Sequence, residues 1–291
     1  MKYGIALPNF GKYAQKDRIL ELTSSAEELG YDSIWVSDHV VIPSSHKGFG
    51  DEFLDPFITL TYLAASTHNI KLGTSVIILP YRNPVVLAKT VSTLDELSEG
   101  RVILGVGAGW LEDEFKALGV PYGERGTVTN EYIDVLKNLW TEDNPKFRGK
   151  YIEFSDITFL PKPVQKPHPP IWVGGGSASA IERAVKHGDG WHPVGLTPTE
   201  LKIKVEYLRE QLDKAHRNPD EFTISIRRNL EITDRKDIDE NETLRGTPEK
   251  IARGIEEYKD EGVTYIIFHL LSGEFKELLK TMRFFSEEFI R

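Results

Sequence analysis

Eight times along this chain a short β-branched or apolar run is followed by an amphipathic helical stretch, and polar and glycine-rich residues gather where the runs end. The runs are Tyr3–Leu7, Ser33–Val36, Lys71–Ile78, Arg101–Gly105, Ile171–Val173, Asp189–His192, Thr223–Ile232 and Val263–Phe268. Each is short enough for a parallel strand buried on both faces. Between them, Ile19/Leu22/Ala26/Leu29, Leu87/Val91/Leu94, Ile251/Ile255/Tyr258 and Phe275/Leu278/Met282/Phe285 repeat apolar residues at three- and four-residue spacing, which predicts helices with one buried face. Strict alternation of strand and helix is the signature of a parallel sheet, and eight units close it. The expectation is an α/β fold, a (β/α)8 TIM barrel with enlarged loops, as a single domain over 1–291; the rival topology is an open doubly wound sheet.

The chain has 291 residues, against the roughly 250 typical of one such barrel. It shows neither a long apolar span nor a charged-then-apolar leader, so a soluble, cytoplasmic protein without a membrane partner is expected. With no cysteine it has no disulfide framework and no thiolate nucleophile. A net charge of −9 argues against a nucleic-acid partner, since phosphate binding needs a positive surface. No metal site is expected. The irregular stretch from Asn144 to Pro170, with a tight hairpin over Phe147–Tyr151, precedes a strand and is read as a structural excursion.

Barrels keep reactive groups at strand C-termini. The second run ends in Ser37-Asp38-His39, which is either a structural pair or a carboxylate and an imidazole able to hold a ligand and move a proton. The third contains Thr74-Ser75-Val76, a small polar pair within an apolar strand, which marks a bulge where a flat ligand can approach the backbone. After the fourth comes Gly105-Val106-Gly107-Ala108-Gly109-Trp110. It fails the dinucleotide fingerprint at Trp110 and is read as a loop of close backbone approach. The fifth ends in Gly174-Gly175-Gly176-Ser177, glycines opening a helix with a serine at the N-cap, which suits a phosphate. After the sixth, Trp191 is read as a wall of the barrel.

Together with Asn83-Pro84, Glu99-Gly100-Arg101, Pro170-Ile171-Trp172-Val173 and Gly188-Asp189-Gly190-Trp191, these motifs resemble the bacterial luciferase-like superfamily from Tyr3 to about Pro219. Within it the chain looks most like the coenzyme F420-dependent oxidoreductases, barrels that bind F420 or FMN at the strand C-termini. The resemblance implies that Asp38 and His39 lie beside the deazaflavin, with His39 as proton carrier. It implies a ring-supporting bulge at Ser75-Val76, often with a non-prolyl cis peptide. Gly107, Ala108 and Gly109 would pass along the cofactor, and Gly174, Gly175, Gly176 and Ser177 would receive its phosphate. A homodimer through helices 2 and 3 is implied as well.

The chain departs from the sugar-phosphate dehydrogenases of the superfamily. It has Trp110 where they present a glutamate, and Thr197 is the nearest match to their lysine after the sixth strand. A flat or apolar small molecule stacked near Trp110 is therefore the better substrate expectation. His39 and Trp110 are the expected catalytic residues, and Trp110, Arg228 and His269 the expected substrate contacts. Arg227, Arg228 and His269 rest on position alone, for gripping an anion or for pairing between strands. Arg125 is placed either to reach a phosphate or to brace its loop. The expected reaction is F420-dependent hydride transfer. An FMN-dependent monooxygenase is the alternative, and a non-catalytic flavin-binding protein comes third.

Overall fold

Which residues can cap a helix decides where many of the helices begin. The structure, a computed structural model, describes residues 1–44, 46, 52–235, 244–271 and 273–291. The chain begins with β1 (Lys2–Ala6), α1 (Lys16–Glu28), β2 (Ser33–Val36), α2 (Pro56–Ala64), β3 (Lys71–Thr74), β4 (Ile77–Ile78) and α3 (Pro84–Leu97). It continues through β5 (Val102–Gly107), α4 (Glu112–Ala117), α5 (Arg125–Thr141) and an antiparallel pair, β6 (Phe147–Arg148) with β7 (Glu153–Phe154). The remainder is β8 (Ile171–Gly174), α6 (Ala178–His187), β9 (Gly190–His192), α7 (Pro198–Lys214), β10 (Thr223–Ile232), β11 (Arg245–Gly246), α8 (Pro248–Asp260), β12 (Tyr265–Leu270) and α9 (Phe275–Phe289). Asp55, Asn83, Thr197 and Thr247 each accept a backbone N–H at a helix start, and each precedes a proline whose missing N–H costs nothing there. The fold class is α/β, the (β/α)8 barrel that the alternation predicts.

The chain groups into two compact units. Met1–Leu7, Lys16–Trp35 and Trp172–Arg291 form one of them. In it the parallel strands run in the order β8, β9, β10, β12, β1, β2, with Gly174 opposite His192, Asn229 opposite His269 and Ala6 opposite His269. The helical stripes read from the sequence are buried here: Ile19, Leu22 and Ala26 of α1, Ile251, Ile255 and Tyr258 of α8, and Phe275, Leu278, Met282 and Phe285 of α9. Each large apolar side chain so removed from water contributes about 1.5–3 kcal/mol.

The second unit is Pro8–Gln15 with Val36–Ile171. The single strand expected over Lys71–Ile78 is two strands, because the pairing with β5 slips. Gly73 lies opposite Ile103, yet Ile77 lies opposite Val106, so the first strand carries one residue more than its partner. That is the expected bulge, and its Ser75–Val76 peptide is cis. Gly105 is required beside it, since a Cβ there would lie 1.9 Å from the Thr74 carbonyl oxygen. The hairpin after α5 has its strands at 147–148 and 153–154, with the Glu131 carboxylate accepting the N–H groups of Lys150, Tyr151 and Ile152. On α2 and α3, Ile58, Tyr62, Val86 and Leu97 remain exposed.

Candidate active site at the ends of β2, β4 and β5

The backbone beyond β2 is tied to the bulge by two hydrogen bonds. Ser75 N–H donates to the Val36 carbonyl at 2.7 Å, and Ile78 N–H donates to Asp38 Oδ2 at 2.9 Å. Asn9, fully buried, fastens the same segment from another side: its Nδ2 donates to the Ser37 and Leu54 carbonyls, and its Oδ1 accepts from Ser37 N–H. Asp38 and His39 thus leave β2 in a fixed direction, with residues 75–78 alongside.

The two side chains have separate partners. Asp38 is buried and forms a bidentate pair with Arg82, at 2.6 Å to Nη1 and 2.8 Å to Nη2. Burial pushes its carboxyl up, while the Arg82 guanidinium and the Ile78 N–H oppose that. Arg82 also lies 3.6 Å from Asp55, the residue capping α2. His39 turns away from this pair. Its Nδ1 sits 2.7 Å from Glu114 Oε2, on a carboxylate with no solvent exposure. Glu114 also accepts the Val40 and Val41 N–H groups on Oε1, at 2.6 and 3.2 Å, and the Tyr81 hydroxyl on Oε2 at 3.0 Å. Burial opposes its ionisation, but the hydrogen bonds from His39, Val40 and Val41 outweigh burial and hold the carboxyl below its usual range.

Gly107 and Gly109 make room for the interrupted strand. A Cβ at Gly107 would meet Val76 Cγ2 at 2.7 Å, and one at Gly109 would meet Ile78 Cγ2 at 2.7 Å and Phe115 at 2.8 Å. The expected close backbone approach is therefore made first by the protein itself, with Ala108 half-buried between the two glycines. Trp110 follows, 53% exposed, its ring edge-on to His39 at 6.3 Å and to His46 at 5.6 Å. His39 in turn meets Phe53 edge-on at 5.3 Å, and Phe53 stacks on Phe10 at 5.1 Å. Arg125 braces its loop: it lies 3.8 Å over the Tyr122 ring and donates to the Tyr122 carbonyl, while the Tyr122 hydroxyl donates to the Trp110 carbonyl.

The other expected residues belong to the first unit. Ser177 caps α6 by accepting Ala180 N–H at 3.2 Å. Lys204 Nζ donates to the Gly176 carbonyl at 2.6 Å, and Trp191 Nε1 to the Gly175 carbonyl at 2.7 Å. Gly174 ends β8, and Gly175 has φ +105°, a conformation that favours glycine. Arg228 is buried and donates to the Gly195 carbonyl, so it holds the loop after β9. Thr197 is the cap of α7, in a capping box with Glu200.

The first unit also holds a packed aromatic layer of Trp35, Trp172, His192 and Tyr265, with Trp35 stacked on Trp172 at 5.1 Å and on His192 at 5.3 Å. His192 Nδ1 is 2.8 Å from Ser225 Oγ. Burial, with Arg227's charge adding, pushes His192 down to about 3 from an ordinary 6.5. His269 is pushed down to about 4 for the same two reasons, and burial pushes Arg227 to about 10. An unfolded chain takes a proton at His192 below about pH 6.5, whereas the folded chain does not until about 3, so acid favours unfolding across that window. The stabilisation from neutral His192 is complete above pH 6.5 and is lost as pH falls toward 3. His192→Gln should therefore flatten the fall in melting temperature between pH 7 and 4; parallel curves for the two proteins would reject this.

Comparison with known proteins decides the family. The sequence profile of luciferase-like monooxygenases matches residues 1–240. The chain belongs to that family. It is 30% identical over 233 residues to an F420-dependent glucose-6-phosphate dehydrogenase of Amycolatopsis mediterranei, covering 79% of this chain and 68% of the relative. It is 34% identical over 166 residues to an FMNH2-dependent dimethylsulfone monooxygenase of Pseudomonas putida, covering 56% of this chain but only 46% of that protein. A monooxygenase of Streptomyces bottropensis has the same fold, with TM-score 0.87, 24% identity and coverage of 100% and 99% of the two chains. Relatives of this luciferase-like chain thus include both F420- and FMN-dependent oxidoreductases. No helix among its described residues is long and apolar enough to cross a membrane.

In this family member the ends of β2, β4 and β5 gather Asp38, His39, Ser75, Val76, Gly107, Ala108, Gly109 and Trp110 in one unit. Sequence reasoning missed Glu114, Tyr81, Arg82 and Asn9. Glu114 is buried on α4 with Phe115, beside the buried N-cap residue Leu111.

Proposed function

We propose that the protein is an F420-dependent oxidoreductase acting on a small, flat or apolar organic substrate, with His39 as the proton carrier. The observation that carries the reading is the His39–Glu114 pair. With Nδ1 held 2.7 Å from a buried carboxylate, Nε2 is the ring nitrogen placed to exchange a proton with a substrate. The chain's donor set fits the cofactor. The bulge at Ser75-Val76, backed by Gly105 and Gly107, offers backbone to a planar ring. When bound, the deazaflavin supplies a hydride donor or acceptor.

The rest falls to the protein. Asp38 and Arg82 hold the segment that carries His39 and the bulge, and Trp110, His46, Phe53 and Phe10 supply aromatic surface around the imidazole. For a hydroxyl-bearing substrate, His39 Nε2 receives the proton that the oxygen loses as a carbonyl forms, and it returns that proton in the reverse direction. Trp110 supports an apolar substrate over a sugar phosphate, since its exposed indole gives a stacking face and no charge.

The test is equilibrium binding of F420 and FMN, oxidised and reduced, to the purified protein, followed by fluorescence. Tight F420 binding with negligible FMN binding is expected. Selective binding of reduced FMN would replace the proposal with an oxygen-using monooxygenase, and binding of neither would remove the cofactor assignment.

A further inference from the structure

We infer that Glu114 is a positioning residue: its buried carboxylate fixes the proton of neutral His39 on Nδ1 and so makes Nε2 the nitrogen that exchanges a proton with substrate. One carboxylate gathers four donors or acceptors around it. Backbone N–H groups can only donate, so Val40 and Val41 commit Glu114 Oε1 to accepting. The Tyr81 hydroxyl donates to Oε2 at 3.0 Å, and His39 Nδ1 shares that oxygen at 2.7 Å. A proton placed on Oε2 to serve a bare Nδ1 would weaken the Tyr81 hydrogen bond and discharge an anion that two N–H groups stabilise. The arrangement that suits these donors best has Glu114 ionised and the proton on Nδ1.

Three features make this a device for orientation. Glu114 has no exposure, so water cannot substitute for it. Its two oxygens divide the work: Oε1 holds the backbone immediately after His39, while Oε2 holds the ring, so main chain and imidazole are referenced to one rigid group. Asp38, the neighbouring carboxylate, is taken up by Arg82 and Ile78 and does not compete for the imidazole. A carboxylate on the far nitrogen is a general way to choose the tautomer and direction of a histidine.

Glu114→Gln separates orientation from mere packing, because glutamine has the same shape and a directional amide. Its Oε1 still accepts Val40 and Val41 N–H, which turns its NH2 group toward His39 and Tyr81. The amide then donates to His39 Nδ1, and the neutral ring must carry its proton on Nε2. The inference uses the reading of His39 as proton carrier only for its consequence, since the test needs no cofactor.

The experiment is two-bond 1H–15N correlation of the imidazoles in uniformly 15N-labelled protein, titrated to the neutral ring, with His39 assigned through His39→Gln. In the unmodified protein the pyridine-like resonance is expected at Nε2; in Glu114→Gln it is expected at Nδ1, and in Tyr81→Phe it stays at Nε2. A pyridine-like Nδ1 in the unmodified protein overturns the inference, and this result needs no variant to fold. A Glu114→Gln protein with native circular dichroism and an unchanged tautomer overturns it equally. Failure of F420 to bind would remove the proposed reaction and leave the tautomer result standing.

Discussion

Arg82→Met should destabilise the protein by about 3–5 kcal/mol and lower its melting temperature by about 10 °C. The substitution keeps most of the side-chain volume but strands Asp38, whose side chain has no solvent exposure and whose two oxygens both bind the guanidinium. An exposed ion pair would cost less than about 1 kcal/mol, so the size of the effect measures how thoroughly the carboxylate is cut off from water. Adding Asp38→Asn should recover part of the loss, because an amide buried without its cation is less costly than a carboxylate. Chemical denaturation of the four proteins of this cycle provides the check. A single-variant loss under 1 kcal/mol would show that Asp38 reaches water or another partner when Arg82 is gone.

His39→Ala should lower kcat by about 10²- to 10⁴-fold, the usual contribution of a positioned acid–base group, while the Kd for F420 changes little. The ring lies beside Trp110 and Phe53, and its Nδ1 is engaged with Glu114, so its removal takes away a proton acceptor and leaves the bulge that would support a cofactor in place. Turnover is to be measured at saturating cofactor with the best substrate from a panel of aromatic and aliphatic alcohols and ketones. Unchanged kcat would remove His39 from proton transfer and pass that role to another group. A large rise in Kd for F420 with kcat preserved would make the imidazole a binding group instead.

What the sequence disclosed followed from periodicity and position. The stripe Phe275/Leu278/Met282/Phe285 is buried as its spacing requires, and Asp38, His39 and Trp110 lie beyond strand ends because a barrel leaves its loops there. The small polar pair Thr74-Ser75 marks the bulge because it spoils an otherwise apolar strand. Glu114 stayed hidden for a physical reason. Glu112, Asp113 and Glu114 look alike as acids at a helix start, where any of them suits the dipole, and only the tertiary fold buries the third. Arg228 illustrates the opposite difficulty. A buried arginine near a strand end suggests an anion, yet it is used on the Gly195 carbonyl, a loop contact that no local pattern encodes. Arg125 had two readings on sequence, and its stacking on Tyr122 selects the bracing one.

The alternation of Gly105, Gly107 and Gly109 against Thr74, Val76 and Ile78 works as tongue and groove, each glycine admitting one member of the interrupted strand. A joint of this kind is indivisible, for enlarging any one glycine drives its partner out of place. The base on which a ligand would rest is thus cast by its own backing and is closed to stepwise revision. Trp110 and His46 stand outside the joint, and diversification of what the protein accepts has room to proceed through them, leaving the casting intact.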